Sequence, residues 1–263
     1  MESINMPTAV INTVENVATL VDLIWQLPTD FPSLFVDLEG INLSRYGSIS
    51  ILTLLIQKDE TLKHTYLFDI HTLGAHAFNT AGRHKKTLKD ILESPIIRKV
   101  FFDVRNDSDA LFSLFNVALQ GIEDVQLMEN ASLLRGATPR AYLTGLASCI
   151  KFDAGLSWEE RATWEAVKDE GKRLFAPERG GNYEVFNTRP MLDAIKEYCV
   201  GDVQYLPRLR LLYCANLSAE WQVRIAEATR DRLTESWSAN YQPQGRDKTQ
   251  GPWIDSRQAA GRG

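Results

Sequence analysis

The stretch SLFVDLEG, residues 33–40, places two carboxylates in an otherwise apolar segment that is typical of a buried β-strand. Asp37 and Glu39 are two positions apart. Successive side chains of a strand point to opposite faces, so both carboxylates are predicted to lie on one face of a sheet. Neighbouring buried carboxylates repel each other unless a cation lies between them, and their oxygens suit hard divalent ions such as Mg²⁺. For this motif alone, a polar face at the end of a strand is the simpler alternative.

The segment VFFDVRNDSDALFSLF, residues 100–115, contains a second group of acidic residues. Asp103, Asp107 and Asp109 lie where a predicted strand leads into a predicted helix. One of them can cap the helix, because a carboxylate at that position accepts a hydrogen bond from a backbone N–H. Three such residues are more than capping requires, so this segment is a second candidate source of metal ligands.

The segment AIKEYCVGDVQYLPRLRLLY, residues 194–213, contains a third candidate group. Tyr198 and Asp202 are four positions apart, which places them on the same face of a predicted helix. Leu206 and Leu209 continue a buried stripe beyond them. Taken alone, this pair is explained most simply as a core tyrosine beside a solvated aspartate.

The composition limits the classes of function. The chain has 263 residues, 44% of them hydrophobic, and a formal net charge of −5. This length supports one large domain with a buried core. The negative charge argues against a protein that coats nucleic acid nonspecifically, because such binding needs a basic excess. It remains compatible with an enzyme that holds nucleic acid at one site through metal ions.

The sequence also indicates the cellular environment. The three cysteines, Cys149, Cys199 and Cys214, form no CxxC pair, so neither a disulfide framework nor a structural zinc site is indicated. No secretory signal is visible, and the longest apolar runs, such as residues 49–56, are shorter than the roughly 20 residues that a membrane helix needs. We therefore expect an intracellular protein, cytoplasmic or nuclear, that is not secreted and has no membrane partner.

Hydrophobic periodicity predicts an α/β domain with a mixed sheet. Three strands joined by short turns form an antiparallel meander, and a strand–helix–strand unit follows it. From about residue 129 the periodicity is almost wholly helical. The predicted strands are 33–40, 47–57, 65–70, 98–104 and 122–129, and the predicted helices are 13–27, 85–94, 108–117, 139–150, 157–175, 188–214 and 217–236.

These elements divide the chain into four regions. Residues 1–29 contain an N-terminal helix that we expect to pack on the domain. The main domain covers residues 30–214, and a C-terminal helix covers residues 215–239. Residues 240–263 are rich in Gln, Gly, Arg and Pro, so we expect a disordered tail.

The motifs DLEG, FFDVRNDSDAL, EDVQ and YCVGDVQYLPRL, in this order, resemble those of the DEDD-type 3′–5′ exonuclease superfamily. Over residues 30–212 the chain resembles the branch with a tyrosine in the last motif, which includes ribonuclease D and Werner-type exonucleases, and within it the Egalitarian-related single-domain proteins. The resemblance implies a ribonuclease H-like fold, with a meander plus parallel strands, flanking helices and a helical C-terminal half. All four histidines lie within residues 64–84, so the histidine-type branch does not apply.

The resemblance also implies the site. Asp107 fits the second motif better than its rival Asp103, because an apolar residue, Leu111, follows four positions later. Asp124 and Gln126 match a structural strand of the family. The implied catalytic residues are Asp37, Glu39, Asp107, Tyr198 and Asp202, and the four carboxylates among them are the implied ligands of two Mg²⁺ or Mn²⁺ ions.

The implied reaction is hydrolysis of a phosphodiester bond from the 3′ end, releasing nucleoside 5′-monophosphates. Two metal ions roughly 3.5–4 Å apart activate the attacking water and stabilise the leaving 3′ oxygen. Asp37 would bridge the two ions. Glu39 and Asp202 would complete one coordination shell, and Asp107 would support the other. The Tyr198 phenol would orient the water.

The implied partner is a single-stranded 3′ end of RNA or DNA. Several side chains are candidates to contact it, although each has a simpler explanation as a surface charge or a core residue. An inactive exonuclease fold that serves as an RNA-binding or scaffold module is the alternative function. The presence of all four carboxylates and the tyrosine favours the enzyme. The candidate contacts are Lys168, Lys172, Arg173, Arg189, Arg105, Trp164, Phe186 and Leu38.

Overall fold

The computed structural model describes residues 7–29, 33–59, 62–132, 134 and 139–253. Within these ranges the strands are β1 Thr8–Ile11, β2 Leu34–Glu39, β3 Ile51–Gln57, β4 Lys63–Asp69, β5 Lys99–Phe101 and β6 Ile122–Asp124. They form one sheet in the order β1-β4-β3-β2-β5-β6. β2, β3 and β4 are the antiparallel meander. β1 pairs in parallel with β4, β5 with β2, and β6 with β5. The predicted mixed sheet is confirmed.

Helices flank the sheet and dominate the second half of the chain, as the sequence predicts. No helix in the described ranges combines the length and the apolar character that a membrane span requires. Short 3₁₀ turns occur at Pro177–Arg179, Tyr183–Asn187 and Arg246–Thr249. The α-helices are α1 Val14–Trp25, α2 Ile70–Leu73, α3 His76–Asn79, α4 Leu88–Leu92, α5 Arg105–Phe115, α6 Val125–Ala131, α7 Leu146–Asp153, α8 Trp158–Phe175, α9 Asp193–Val203, α10 Leu206–Cys214 and α11 Ala219–Trp237.

Several predicted elements differ from the observed bounds, and two of them change character within the predicted range. The strand predicted over 122–129 ends at Asp124, because the Asp124 side chain accepts a hydrogen bond from the Gln126 N–H at 3.1 Å and starts α6. The helix predicted over 188–214 is divided into α9 and α10. Pro207 lies in the first turn of α10, where backbone N–H groups have no partner within the helix, so a proline loses no hydrogen bond there. Its ring disfavours a helical conformation of the preceding residue, so the helix is not continuous.

The strand β1 was not predicted. It is four residues long, and its backbone pairs with β4 in parallel. A strand this short carries too few side chains to show a clear alternation, so its pairing partner and not its own pattern defines it. It extends the sheet beyond the meander, and α1 follows directly with Thr13 as its N-cap.

The apolar core has two sides, separated by the sheet. Val36 and Leu38 of β2 lie in the cluster that includes the buried face of α1. Phe35, which precedes Val36 and points to the other face, lies in the opposite cluster with residues of α6, α7 and α10. Asp37 and Glu39 therefore share the sheet face of Phe35, as the spacing predicts. α9 packs on β2 and β3 beside them.

The first part of the tail contacts the main domain. Tyr241 is 2% exposed, and its hydroxyl donates to Asn106 Oδ1 at 2.9 Å. The Lys248 ammonium lies 3.7 Å from the centre of the Tyr241 ring, and the Lys248 carbonyl accepts a hydrogen bond from Arg105 at 2.8 Å. Tyr241 and backbone hydrogen bonds, such as that from the Leu143 N–H to the Thr249 carbonyl at 2.9 Å, thus hold a segment whose composition is mostly polar. Residues 254–263 lie outside the described part of the chain.

We expect Lys99→Met to lower the free energy of unfolding by about 1–3 kcal/mol, because it leaves buried carbonyl groups without a donor. Lys99 is fully buried in β5, and its ammonium donates to the carbonyls of Ile91 at 3.1 Å and Ser94 at 2.7 Å, at the end of α4. Urea unfolding measures the difference. Lys58→Met, at an exposed position, is the control, and an equal effect of both substitutions would contradict this role.

Candidate metal centre

Three acidic side chains meet on the sheet face beside α9. Ligand oxygens of Asp37, Glu39 and Asp202 all lie within 4.8 Å of one another. We call this group the carboxylate pocket. Asp37 and Glu39 come from β2, where the two-residue period points them the same way, and Asp202 comes from α9. The sequence predicted that these three residues share one site, and the structure brings them together.

The electrostatics of the carboxylate pocket show that its charges are poorly compensated by the protein. The pKa of Asp37 is raised to about 8. Removal from solvent is the largest cause, and the negative charge of Asp202 is the second. Burial and the charges of Asp37 and Asp202 raise the pKa of Glu39 well above its usual range. Burial also raises the pKa of Asp202, against the opposing charge of a neighbouring lysine, Lys168. Such carboxylates favour either a proton or a bound cation.

The second-motif aspartates occupy different surroundings. Burial raises the pKa of Asp107 well above its usual range, and the charge of Asp37 is the second contribution, so Asp107 lies near enough to Asp37 to respond to its charge. Asp103 instead accepts two hydrogen bonds from Arg105, both at 2.6 Å. Burial acts to raise the pKa of Asp103, but these bonds and the charge of Arg232 outweigh it and lower the pKa. Asp103 is thus already neutralised by the protein.

Asp124 holds the second motif in place. Its carboxylate accepts hydrogen bonds from the backbone N–H of Asp103 at 3.0 Å and of Val104 at 3.3 Å, and from Arg232 of α11 at 2.6 Å. Gln126 accepts a further bond from Arg232 at 3.1 Å. These residues therefore have the structural position that the resemblance implied for them.

Tyr198 lies at the wall of the carboxylate pocket. Burial, then the charges of Asp202 and Glu39, raise the pKa of Tyr198 above its usual value, so the phenol remains protonated. Phe175 contacts the ring edge-on at 5.0 Å between centroids. Gly171 of α8 lies so close that an added Cβ would be 2.7 Å from the Tyr198 Cβ. The helix α8 can approach α9 only because this position has no side chain.

Lys168 contacts the carboxylate pocket directly, which the sequence did not indicate. Its ammonium is hydrogen-bonded to Asp202 and lies 3.1 Å from the centre of the Tyr198 ring. The side chain is buried, with 8% of its surface exposed. The sequence placed Lys168 on a helix face as a candidate contact for nucleic acid. Its position next to Asp202 could not be found from the sequence, because the two residues are 34 positions apart on separate helices.

A buried hydroxyl beside the pocket was also missed. Thr53 of β3 is directly opposite Asp37 in the antiparallel ladder, and opposite residues share a sheet face. The Thr53 Oγ1 atom is buried and has no hydrogen-bond partner in the described residues. A group of carboxylates with raised pKa values beside an unpartnered hydroxyl suits a hydrated divalent cation, since hard cations take oxygen ligands and retain water. The residues present therefore fit a metal site.

Two of the candidate arginines are committed to the fold. Arg189 binds Asp69 through both ends of its guanidinium, at 2.6 and 2.5 Å, and also donates to the Phe186 carbonyl at 2.9 Å. Arg105 is occupied by Asp103 and the Lys248 carbonyl. Both side chains join distant segments of the chain, so neither presents a guanidinium to a ligand in this structure.

The candidate apolar contacts are also part of the core. Leu38 is 3% exposed and lies on the sheet face opposite the carboxylate pocket, so it is not placed to contact a strand bound in that pocket. Phe186 is 1% exposed. Trp164 is buried, and its indole N–H donates to the Gly201 carbonyl at 3.1 Å. All three have the packing role that was their simpler explanation.

Comparison with known proteins identifies the class. The sequence model of a 3′–5′ exonuclease family matches residues 11–212. The chain belongs to this family.

Individual relatives agree with that assignment. The piRNA biogenesis protein EXD1 of Mus musculus is 29% identical over 182 residues, which are 68% of this chain and 28% of that protein. RNase D of Trypanosoma brucei, in a complex with RNA U12, has a TM-score of 0.67 at 22% identity, over 90% of this chain and 72% of that chain. NrnC of Brucella melitensis with bound Mg²⁺ has a TM-score of 0.53 at 17% identity, over 88% and 90%. These two structural similarities show a shared fold. This chain spans little more than a quarter of the length of EXD1.

We expect the metal-free protein to become less stable as the pH rises towards 8. The Asp37 carboxyl keeps its proton up to about pH 8 when folded, whereas in an unfolded chain it releases it near pH 4. Between these values the unfolded state binds fewer protons, so stability falls with rising pH. Thermal unfolding in EDTA at several pH values measures the slope, and added Mg²⁺ or Mn²⁺ should flatten it.

The variant Asp37→Asn should show a shallower slope than the unsubstituted protein, because one of the titrating groups is gone. Asp231→Asn, at an exposed position of α11, should leave the slope unchanged. An identical slope in all three proteins would show that the pocket does not govern this dependence.

We expect Gly171→Ala to destabilise the protein by about 1–3 kcal/mol, because the added methyl group overlaps Tyr198 and the helices must separate. Gly145→Ala is the matched control, since a Cβ at Gly145 meets nothing within 4 Å. Urea unfolding of both variants tests the contact. Equal stability of the two variants would be inconsistent with tight packing of α8 on α9.

Proposed function

We propose that this protein is a metal-dependent 3′–5′ exonuclease that hydrolyses phosphodiester bonds from the 3′ end of single-stranded nucleic acid and releases nucleoside 5′-monophosphates. The observation that carries the proposal is the carboxylate pocket, in which ligand oxygens of three acidic side chains lie within 4.8 Å of one another. Burial, and after it the charge of Asp37, raises the pKa of a fourth acidic side chain, Asp107. The Mg²⁺ in NrnC and the RNA in the RNase D complex support the choice of cofactor and substrate class.

Each residue has a distinct role in this proposal. Asp37, Glu39, Asp107 and Asp202 hold two Mg²⁺ or Mn²⁺ ions. When bound, the ions supply positive charge that acidifies a water molecule and stabilises the developing charge on the phosphate. Tyr198 keeps its phenolic proton and orients the attacking water by a hydrogen bond. Because its pKa is raised, it acts as a donor and not as a base.

An open cleft next to the pocket is the contact surface that we assign to the substrate strand. It has a volume of about 380 Å³ and lies between α7 and α8, where Lys151, Lys168 and Lys172 line it together with the acidic residues Glu165 and Asp169. Lys151 pairs with Glu165 at 2.7 Å, and Lys168 pairs with Asp202, so the cleft leads to the carboxylate pocket. Lysines along this path attract the phosphate backbone of a strand whose 3′ end is in the pocket.

One observation favours the alternative of an inactive binding module. The Lys168 ammonium already pairs with Asp202, so a cation of the protein occupies part of the space beside the pocket. If this pairing persists, metal ions bind weakly and the fold binds nucleic acid without cutting it. The presence of Asp37, Glu39 and Asp107 without arginine or lysine ion pairs in the described residues favours the enzyme.

Digestion of matched oligonucleotides tests the proposal. The full-length protein is incubated with RNA and DNA strands of one sequence, 5′-labelled, in Mg²⁺, Mn²⁺ or EDTA. We expect shortening from the 3′ end with either metal, no reaction in EDTA, mononucleotide 5′-phosphates by mass analysis, and protection by a blocked 3′ end. Intact strands in both metals, together with binding in EDTA, would establish the alternative.

Substitutions then assign the roles. Asp37→Asn and Asp202→Asn should each lower the rate by about a thousandfold, because each removes part of the charge-stabilising centre. Asp193→Asn, which is exposed at the start of α9, is the control for Asp202→Asn and should retain the rate. Asp107→Asn should reduce the rate much more than Asp103→Asn reduces it at equal fractions of folded protein. The reverse order would assign the second-motif ligand to Asp103.

A further inference from the structure

A second group of metal-ligating side chains lies outside the carboxylate pocket and shares no residue with it. Ligand atoms of Glu129, Cys149 and Asp153 all lie within 4.8 Å of one another. We call this group the thiol cluster. Glu129 belongs to α6. Cys149 and Asp153 are four positions apart in α7, so they lie on the same helix face. The proposed nuclease reaction makes no use of these residues.

One carboxylate oxygen of Glu129 gives the clearest indication that this cluster binds a cation. The Glu129 side chain is 1% exposed. Its Oε1 atom accepts hydrogen bonds from Arg140 and, at 3.2 Å, from the Thr144 hydroxyl. Its Oε2 atom is buried and has no hydrogen-bond partner in the described residues. A buried carboxylate oxygen without a partner is costly and rare, so this atom calls for a cation.

Neighbouring donors hold the cluster in an orientation that suits a metal. The Tyr213 hydroxyl of α10 donates to Asp153 Oδ2 at 2.8 Å. Burial, followed by the nearby Cys149 and Asp153, raises the pKa of Tyr213, so the phenol keeps the proton that it donates. Thr144 and Arg140 donate hydrogen bonds to the Glu129 carboxylate and hold it in the same manner. Donors of this kind around metal ligands fix the ligand orientation and strengthen binding.

The charge of the cluster selects the class of ion. With Cys149 as a thiolate, the three ligands carry three negative charges, which one divalent cation and the adjacent Arg140 balance. A thiolate combined with carboxylates suits a borderline ion such as Zn²⁺ better than Mg²⁺, which takes oxygen ligands alone. Binding releases the thiol proton to solvent. Asp153 is half-buried and gives the ion a route from the surface.

We propose that Glu129, Cys149 and Asp153 bind one divalent cation of the zinc class, with water as the fourth ligand. The bound ion joins α6 to α7. This inference does not depend on the proposed nuclease activity, because a protein that fails to cut nucleic acid can still bind zinc here.

Cobalt substitution tests the proposal. The chelator-treated full-length protein is titrated with Co²⁺, because bonding between Co²⁺ and a thiolate produces an intense near-ultraviolet charge-transfer absorption that carboxylate ligands do not produce. We expect this absorption to saturate at one equivalent and to disappear when Zn²⁺ is added. Absence of the absorption in the unsubstituted protein overturns the proposal.

Two cysteine variants locate the thiolate. Cys149→Ala should lose the absorption, whereas Cys199→Ala should retain it. Cys199 is the matched control because it is also buried, but in α9 close to the carboxylate pocket. Asp37→Asn should likewise retain it. Loss in Cys199→Ala together with retention in Cys149→Ala would place the thiolate at the carboxylate pocket and overturn the proposal.

A second measurement covers the case in which Cys149→Ala does not fold. Glu129→Gln keeps the size of the side chain and removes one anionic ligand, so it should weaken Co²⁺ binding by at least about tenfold. Zn²⁺ should also raise the thermal unfolding midpoint of the unsubstituted protein and of Asp37→Asn, because a ligand of the folded state stabilises it. Unchanged Co²⁺ affinity in Glu129→Gln would contradict the assignment.

Discussion

Repulsion among acidic side chains gathered on one face of the sheet is the constraint on which the rest of the site depends. β2 fixes Asp37 and Glu39 side by side, and α9 brings Asp202 to them. The protein offsets this repulsion only in part, through Lys168. Burial and the repulsion that Lys168 does not offset raise the pKa values of the carboxylates, and they make this location suitable for divalent cations. This contact requires α8 to pack closely on α9, because Lys168 of α8 can reach Asp202 of α9 only when the two helices lie near each other.

A second carboxylate has the opposite role and shows how surroundings decide function. Asp124 is fully buried, yet it is surrounded by donors: two backbone N–H groups at the end of β5, the N–H of Gln126, and Arg232 of α11. Its charge is satisfied and it joins three elements. For Asp37, burial and the charge of Asp202 outweigh the backbone N–H of Leu38, and for Glu39 burial and the charges of Asp37 and Asp202 dominate, so the pKa values of both carboxyls are raised. The same chemical group is therefore structural in one place and suited to metal binding in the other.

Local pattern was sufficient for most elements and failed where a single side chain overrides it. The meander and the helical second half follow from periodicity, since both signals extend over many residues. The segment after Asp124 turns into a helix because that carboxylate caps it, and the predicted long helix divides near Pro207. The beginning of the tail contacts the domain because Tyr241 occupies a buried position that the composition of the segment does not indicate. Each exception depends on particular contacts and not on average composition.

The sequence by itself determined which residues share a face: Asp37 with Glu39 by the two-residue period, and Tyr198 with Asp202 by the helical turn. Only the tertiary structure distinguished the surroundings of Asp107 and Asp103: Arg105 and Arg232 lower the pKa of Asp103, whereas burial and the charge of Asp37 raise that of Asp107. It alone brought Lys168 to Asp202, and Glu129 to Cys149. The physical reason is the range of the contacts: spacing rules follow from the geometry of one strand or helix, whereas these partners lie on separate elements that meet only when the core packs.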